Sequence, residues 1–215
     1  MVGKVITLAT LKGGAGKSTL ARNIAAHWVN IGMKVAIIDA DPQGSIINRH
    51  NPEGALKALY VVAEPEENVS EVIEELKHKY DYVIVDTGGF RNRTTIRALV
   101  STDLALIPLK PSVDDVSGAV ETHNLINELN DLSERLGKPI KYRMIITMSQ
   151  FGTVIARHIR SELEQVGYLL LKSEMYHRVA YPEAAIDGLS PCITDPEGSA
   201  ARDISNIIKE ITSAL

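Results

Sequence analysis

Residues 11–19 read Leu-Lys-Gly-Gly-Ala-Gly-Lys-Ser-Thr and come after a short apolar run, Val5-Ile6-Thr7-Leu8-Ala9. Their types and order suit the binding of a phosphate chain. Gly13, Gly14 and Gly16 let successive backbone N–H groups converge on an anion around Ala15, and a helix starting after Gly16 adds the positive end of its dipole. Lys17 can reach β- and γ-phosphates, and Ser18, with Thr19 after it, can supply a hydroxyl to Mg²⁺. The usual pattern G-x-x-x-x-G-K-[ST] is met except at its first glycine, where Leu11 stands, and Lys12 comes next. Two ammonium groups bracketing one glycine loop repel each other unless both find anionic oxygens.

Carboxylates stand at two other places where they could complete such a site. The run Ile37-Ile38-Asp39-Ala40-Asp41-Pro42-Gln43 ends a second apolar segment. In an extended chain, residues two apart face the same way, so Asp39 and Asp41 look at one site together. Two adjacent carboxylates are unfavourable unless a cation or ordered water lies between them. Asp41 can equally serve as an N-cap, with Pro42 in the first turn of a helix. Tyr82-Val83-Ile84-Val85-Asp86 has the Walker B form, an apolar strand ending in one aspartate. Asp86 is the expected Mg²⁺ partner, through water.

The elements that must position these residues alternate regularly. Strands are expected at 5–9, 34–39, 59–63, 82–86, 104–108, 142–147 and 168–171, with amphipathic helices between them. Continuous apolar strands such as Tyr82–Val85 suit a parallel sheet buried on both faces. Ser112 with Asp115 predicts a capping box before a long helix carrying Val116, Val120, Ile126, Leu129, Leu132 and Leu136, closed by Gly137. The fold class is therefore α/β, a doubly wound and mostly parallel sheet flanked by helices. Ligands in such sheets bind beyond the C-terminal strand ends, where all three motifs stand.

Composition narrows the reading further. The chain has 215 residues, 45% hydrophobic, with net charge −4 and one cysteine. One domain spanning residues 1–215 is the natural organisation. Nucleic-acid binding would need a local basic patch, since the whole chain is not a polycation. Lone Cys192 excludes an intramolecular disulfide and a cysteine-rich metal site, and fits a reducing cytosol. His27, His50, His78, His123, His158 and His177 fall into no metal-ligand spacing. The sequence shows neither a signal peptide nor an apolar run long enough for a bilayer.

The loop Lys12–Thr19 resembles the deviant Walker A loop of the ParA/MinD family of ATPases, and Asp39–Gln43 resembles the family's second signature motif. The resemblance covers nearly the whole chain, closely at 11–19 and 39–43 and loosely elsewhere. It implies a P-loop NTPase of deviant Walker A type, in which Lys12 reaches across a dimer interface to the partner's nucleotide. It also implies that Lys12, Lys17 and Asp41 are catalytic, with Asp41 orienting the attacking water. Ser18, Asp39 and Asp86 serve the metal, Asp39 through its waters. Residues 12–19 bind the nucleotide. The C-terminal stretch Met175–Arg178, Glu183-Ala184, Gly188, Pro191 and Asp195-Pro196 resembles small ParA-type, ParF-like partition ATPases. Met148 and Tyr176 are the expected adenine neighbours on that basis, with core packing as the other reading. The guanine-reading motif Asn-Lys-x-Asp is absent, so ATP with Mg²⁺ is the expected cofactor pair. Where many members carry a proline pair after the Walker B strand, this chain has Thr87-Gly88-Gly89.

The same resemblance implies an ATP-dependent homodimer on nonspecific DNA, in the cytoplasm at the nucleoid. Its partner is a small ParB/ParG-like centromere-binding adaptor, and no membrane is involved. The first strand comes at the start of the chain, without the helix-turn-helix of larger ParA proteins, which assigns centromere recognition to that adaptor. Candidate DNA-facing basic residues are Lys138, Lys141, Arg143, Arg157, Arg160, Lys172 and Arg202. A MinD-like membrane-surface switch and a dethiobiotin-synthetase-like metabolic enzyme are the alternatives. The segment Ala201–Leu215 reads as a closing helix rather than a basic membrane tail.

Overall fold

In the computed structural model, which describes residues 2–132 and 138–215, strands and helices alternate along the chain. The strands are β1 (Lys4–Leu8), β2 (Val35–Ala40), β3 (Tyr60–Ala63), β4 (Tyr82–Thr87), β5 (Leu104–Leu109), β6 (Lys141–Ser149) and β7 (Met175–Tyr176). The helices are α1 (Lys17–Asn30), α2 (Val69–Leu76), α3 (Arg93–Val100), α4 (Val113–Asp131), α5 (Val154–Val166), α6 (Ala180–Ile186), α7 (Pro191–Thr194) and α8 (Ser199–Ala214). All seven strands run parallel in the order β3-β2-β4-β1-β5-β6-β7.

Alternation along each strand divides the core into two faces. Ile6, Leu8, Ile37, Ile84 and Leu106 point toward α1 and α8, meeting Leu20, Ile24, Ile204, Ile207 and Ile211. Val5, Ile38, Val83 and Val85 point the other way, onto Val69, Ile73 and Leu76 of α2. Ala105, Ile107 and Leu109 continue that second face against α4 and α5. Every residue of β2 and β5 is buried, the condition that produces unbroken apolar strands in a parallel sheet. Trp28 stacks on Tyr82 at 3.8 Å and 4° between ring planes, bolting α1 to β4. Register sets Asp39 directly beside Asp86.

The structure differs from the expected elements in two places. The segment 168–171 forms one isolated bridge, Leu170 to Met144, and the seventh strand lies later at Met175–Tyr176. The ladder is interrupted because the Lys172 and Ser173 N–H groups donate instead to the Glu210 carboxylate, both at 2.8 Å. Ser112 caps α4 as expected, its Oγ accepting the Asp115 N–H at 3.3 Å, but the reciprocal half of the box is not formed, because the Ser112 N–H donates to the Lys110 carbonyl at 2.7 Å. That helix stops at Asp131, however, because Leu132 adopts extended backbone (ψ 139°). The Asn130 side chain then accepts the Ile140 N–H at 2.7 Å. The expected Leu136 and Gly137 lie outside the described residues.

Candidate nucleotide site

The glycine loop joins β1 to α1 at the C-terminal edge of the sheet. Gly14 and Gly16 take φ of +80° and +85°, the left-handed region that side chains rarely enter. Three threonines fix the loop from below. Thr147 Oγ1 donates to the Ala15 carbonyl at 2.7 Å, Thr122 Oγ1 accepts the Leu11 N–H at 2.9 Å, and Thr87 Oγ1 donates to the Leu8 carbonyl at 2.9 Å. Thr87-Gly88-Gly89 gains a physical reason here. A Cβ at Gly89 would fall 2.7 Å from the Gly13 nitrogen, so glycine lets this segment lie directly on the loop.

Two buried ionisable side chains lie beneath the loop, Lys17 and Asp86. Lys17 is 6% exposed; burial lowers its pKa, while Asp86 and Asp41 pull it back up. Asp86 is 0% exposed, and neither of its oxygens has a hydrogen-bond partner. Burial pushes its pKa up to about 7, and the charges of Asp39 and Asp41 add to this. The Ser18 hydroxyl, near but outside hydrogen-bonding geometry, and the Lys17 ammonium oppose it. Nearly every buried carboxylate finds partners. Two orphaned oxygens beside a hydroxyl are hard-donor chemistry that fits Mg²⁺, and Ser18 and Asp86 are the residues that would hold it.

These surroundings fix the sign of a pH effect. The folded state binds the Asp86 proton more tightly than the unfolded chain, so this group's stabilisation is present at acid pH. It is lost as pH rises from about 4 to about 7, and the loss is complete above that. Without metal, Asp86→Asn should therefore gain on the wild type across that window, by about 4 kcal/mol at its upper end. Urea unfolding at a series of pH values checks this; parallel stability curves would contradict it.

Asp39 carries a role not expected from sequence. Its carboxylate accepts the Ile46 and Ile47 N–H groups at 2.8 and 2.9 Å and the Asp41 N–H at 3.4 Å, which folds the β2 loop back over the strand end. The anticipated helix after Asp41 does not form. Asp41 Oδ1 accepts the Gln43 N–H at 2.9 Å, a local turn, and the first helical element is a 3-10 turn at Ile47–Arg49. The chain bends there because Asp39 draws the following amides inward.

Loop residues Gly13, Gly14, Gly16, Lys17, Ser18 and Thr19 line a cleft of about 780 Å³, together with Asp41, Met148 and Tyr176. Ala15 is buried in the loop, Asp39 and Asp86 lie beneath the cleft, and Lys12 turns aside to α4. Its ammonium sits 3.4 Å from Asp114 and 3.5 Å from Asp115, 34% exposed. Met148 has φ of +53°, and Tyr176 packs edge-on to Phe151 and under the Arg178 guanidinium. Arg178 is itself held by Asp203 at 2.6 and 2.9 Å. Arg91, Arg93 and Arg97 are engaged at the surface with Glu128 and Glu67. Sequence reasoning missed Arg22 and Arg49, which also line the cleft. Helical spacing from Thr19 was the available signal for Arg22.

Comparisons with known proteins identify the family and the fold. The family model described as the CobQ/CobB/MinD/ParA nucleotide binding domain matches residues 6–192. The chain is 27% identical over 212 residues to the maintenance of carboxysome distribution protein A of Halothiobacillus neapolitanus, covering 96% of this chain and 95% of that one. It is 28% identical over 226 residues to the protein ParA of Rhizobium radiobacter, covering 98% and 99%. Among solved structures, MinD of Pyrococcus horikoshii complexed with Mg-ADP superposes with a TM-score of 0.77 at 16% identity, over 97% of this chain and 96% of that one. An ATP complex of a Cyanothece McdA variant gives 0.74 at 19%, over 98% and 96%. The matched region takes in the glycine loop, both carboxylate strands and the cleft they line, and the chain belongs to the CobQ/CobB/MinD/ParA nucleotide-binding family.

Proposed function

We propose that this protein is a Mg²⁺-dependent ATPase, residues 1–215 acting as one P-loop domain, whose two copies are joined face to face by ATP. In that form it binds nonspecific DNA and positions a DNA cargo with a small ParB/ParG-like adaptor, in the cytoplasm at the nucleoid. The observation that carries this reading is the buried pair of Lys17 and the unpartnered Asp86 under a loop of left-handed glycines. Relatives named for chromosome partitioning and for carboxysome distribution support a positioning role.

Lys17 neutralises charge on the β- and γ-phosphates, and Asp41, at the cleft wall, orients water for in-line attack. Bound Mg²⁺ would supply further charge neutralisation beside Ser18 and Asp86. Lys12 lies against α4, paired with exposed Asp114 and buried Asp115, and in the dimer it exchanges these partners for phosphate oxygens of a second subunit. Met148 and Tyr176 frame the adenine. Exposed Arg157, Lys172 and Arg202 are candidates for DNA phosphates. Arg160 and Lys141 are engaged within the fold, with Glu174 and the Ala214 and Leu215 carbonyls. Among the described residues no helix is long and apolar enough to cross a membrane, and α8 buries Ile204, Ile207 and Ile211 in the core.

Asp41→Ala tests the catalytic assignment. It should cut turnover about a hundredfold while leaving an ATP-bound dimer that persists in light scattering. A monomer with wild-type turnover would overturn the role.

A further inference from the structure

Arg22 stands on α1 one turn beyond Thr19, on the same face of the helix, and lines the cleft together with Arg49. It is 7% exposed, and its Nε has no hydrogen-bond partner. Burial disfavours its charge, Arg49 repels it, and the attraction of Asp86 opposes these effects. A guanidinium does not escape by losing its proton. Among the described residues no carboxylate forms an ion pair with either arginine. Arg49 instead donates to the Ser45 carbonyl at 2.9 Å. A buried cation left without a counter-charge is costly, and a second cation next to it makes the cost larger.

Two guanidiniums on one wall of a cleft match an oxyanion, to which arginine can give paired hydrogen bonds. We propose that Arg22 and Arg49 form an oxyanion site, separate from the glycine loop, that takes inorganic phosphate. This rests on the nucleotide reading above, which supplies the ligand. The water oxygen bonds to the γ-phosphorus, the bond to the β-phosphate oxygen breaks, and ADP keeps that electron pair. The products are ADP, phosphate and a proton released to solvent. Asp41, Gln43 and Ser45 line the same cleft as the two arginines, so phosphate formed at Asp41 is released into the cleft that holds the pair. The site holds the phosphate after the bond has broken.

Equilibrium dialysis of ³²P-labelled inorganic phosphate against the full chain saturated with MgADP tests this, since the glycine loop is then filled. Wild-type protein should take up one equivalent. Arg22→Gln and Arg49→Gln should each weaken that binding about tenfold, with MgADP affinity held within about twofold. Arg49 is exposed, so its variant keeps the test valid should Arg22→Gln fail to fold. No phosphate on MgADP-loaded wild type, or undiminished binding in Arg49→Gln, overturns the site. An equal loss of MgADP affinity in the variants also overturns it, because the arginines would then hold the nucleotide's own phosphates. A wild type that binds no MgADP would instead bring down the nucleotide reading, and the phosphate site with it.

Discussion

Lys17→Ala is expected to lose MgATP binding, by about a hundredfold or more, as read by titration with a fluorescent nucleotide analogue. The ammonium is buried at the base of the loop, where its hydrogen bonds to phosphate would be charge-assisted and poorly screened. Each bond of that kind contributes about 1.5–3 kcal/mol, and two suffice for the expected loss. Removing Lys17 also removes one of the groups that hold the Asp86 pKa down, so Asp86 becomes a poorer metal partner at neutral pH. Both effects act in the same direction. Retained tight binding of ATP would overturn the assignment of the loop.

Lys12→Ala should behave differently, and the contrast is what separates the two lysines. Lys12 does not line the cleft of its own subunit; it lies against α4, paired with Asp114 and Asp115. Nucleotide affinity of the single subunit should therefore stay within about threefold. The proposed ATP-dependent dimer should disappear, because the charge assigned to the second nucleotide is gone and two triphosphates would face each other across the proposed interface. Light scattering with MgATP reads the outcome as a mass that stays at one subunit. A variant that still doubles in mass with ATP would contradict the bridging role.

The strands and the site motifs were legible in the sequence for one physical reason. A parallel sheet buried on both faces demands unbroken apolar runs, and its ligand edge is where such runs stop at glycine or aspartate. Leu8, Asp39 and Asp86 mark that edge in the sequence and lie side by side in the register. What local pattern could not show was competition between partners distant in the chain. Glu210 captures the amides of Lys172 and Ser173, which interrupts the ladder at 168–171 and delays the seventh strand. Asp39 captures the amides of Ile46 and Ile47, so Asp41 closes a turn in place of capping a helix. Gly89 read as a departure from the family's proline pair until its close approach to Gly13 explained it. Arg22 carried no mark of its own in the sequence, because burial against a cleft wall depends on elements far from it in the chain.

Binding to random-sequence duplex DNA, compared between MgATP and MgADP at two salt concentrations, tests the central claim most directly. Salt-sensitive binding with MgATP and none with MgADP is the expected result, since the basic surface is to be assembled only in the ATP dimer and phosphate contacts release counterions. Binding that is the same with either nucleotide, or absent with both, would contradict an ATP-gated DNA-binding switch.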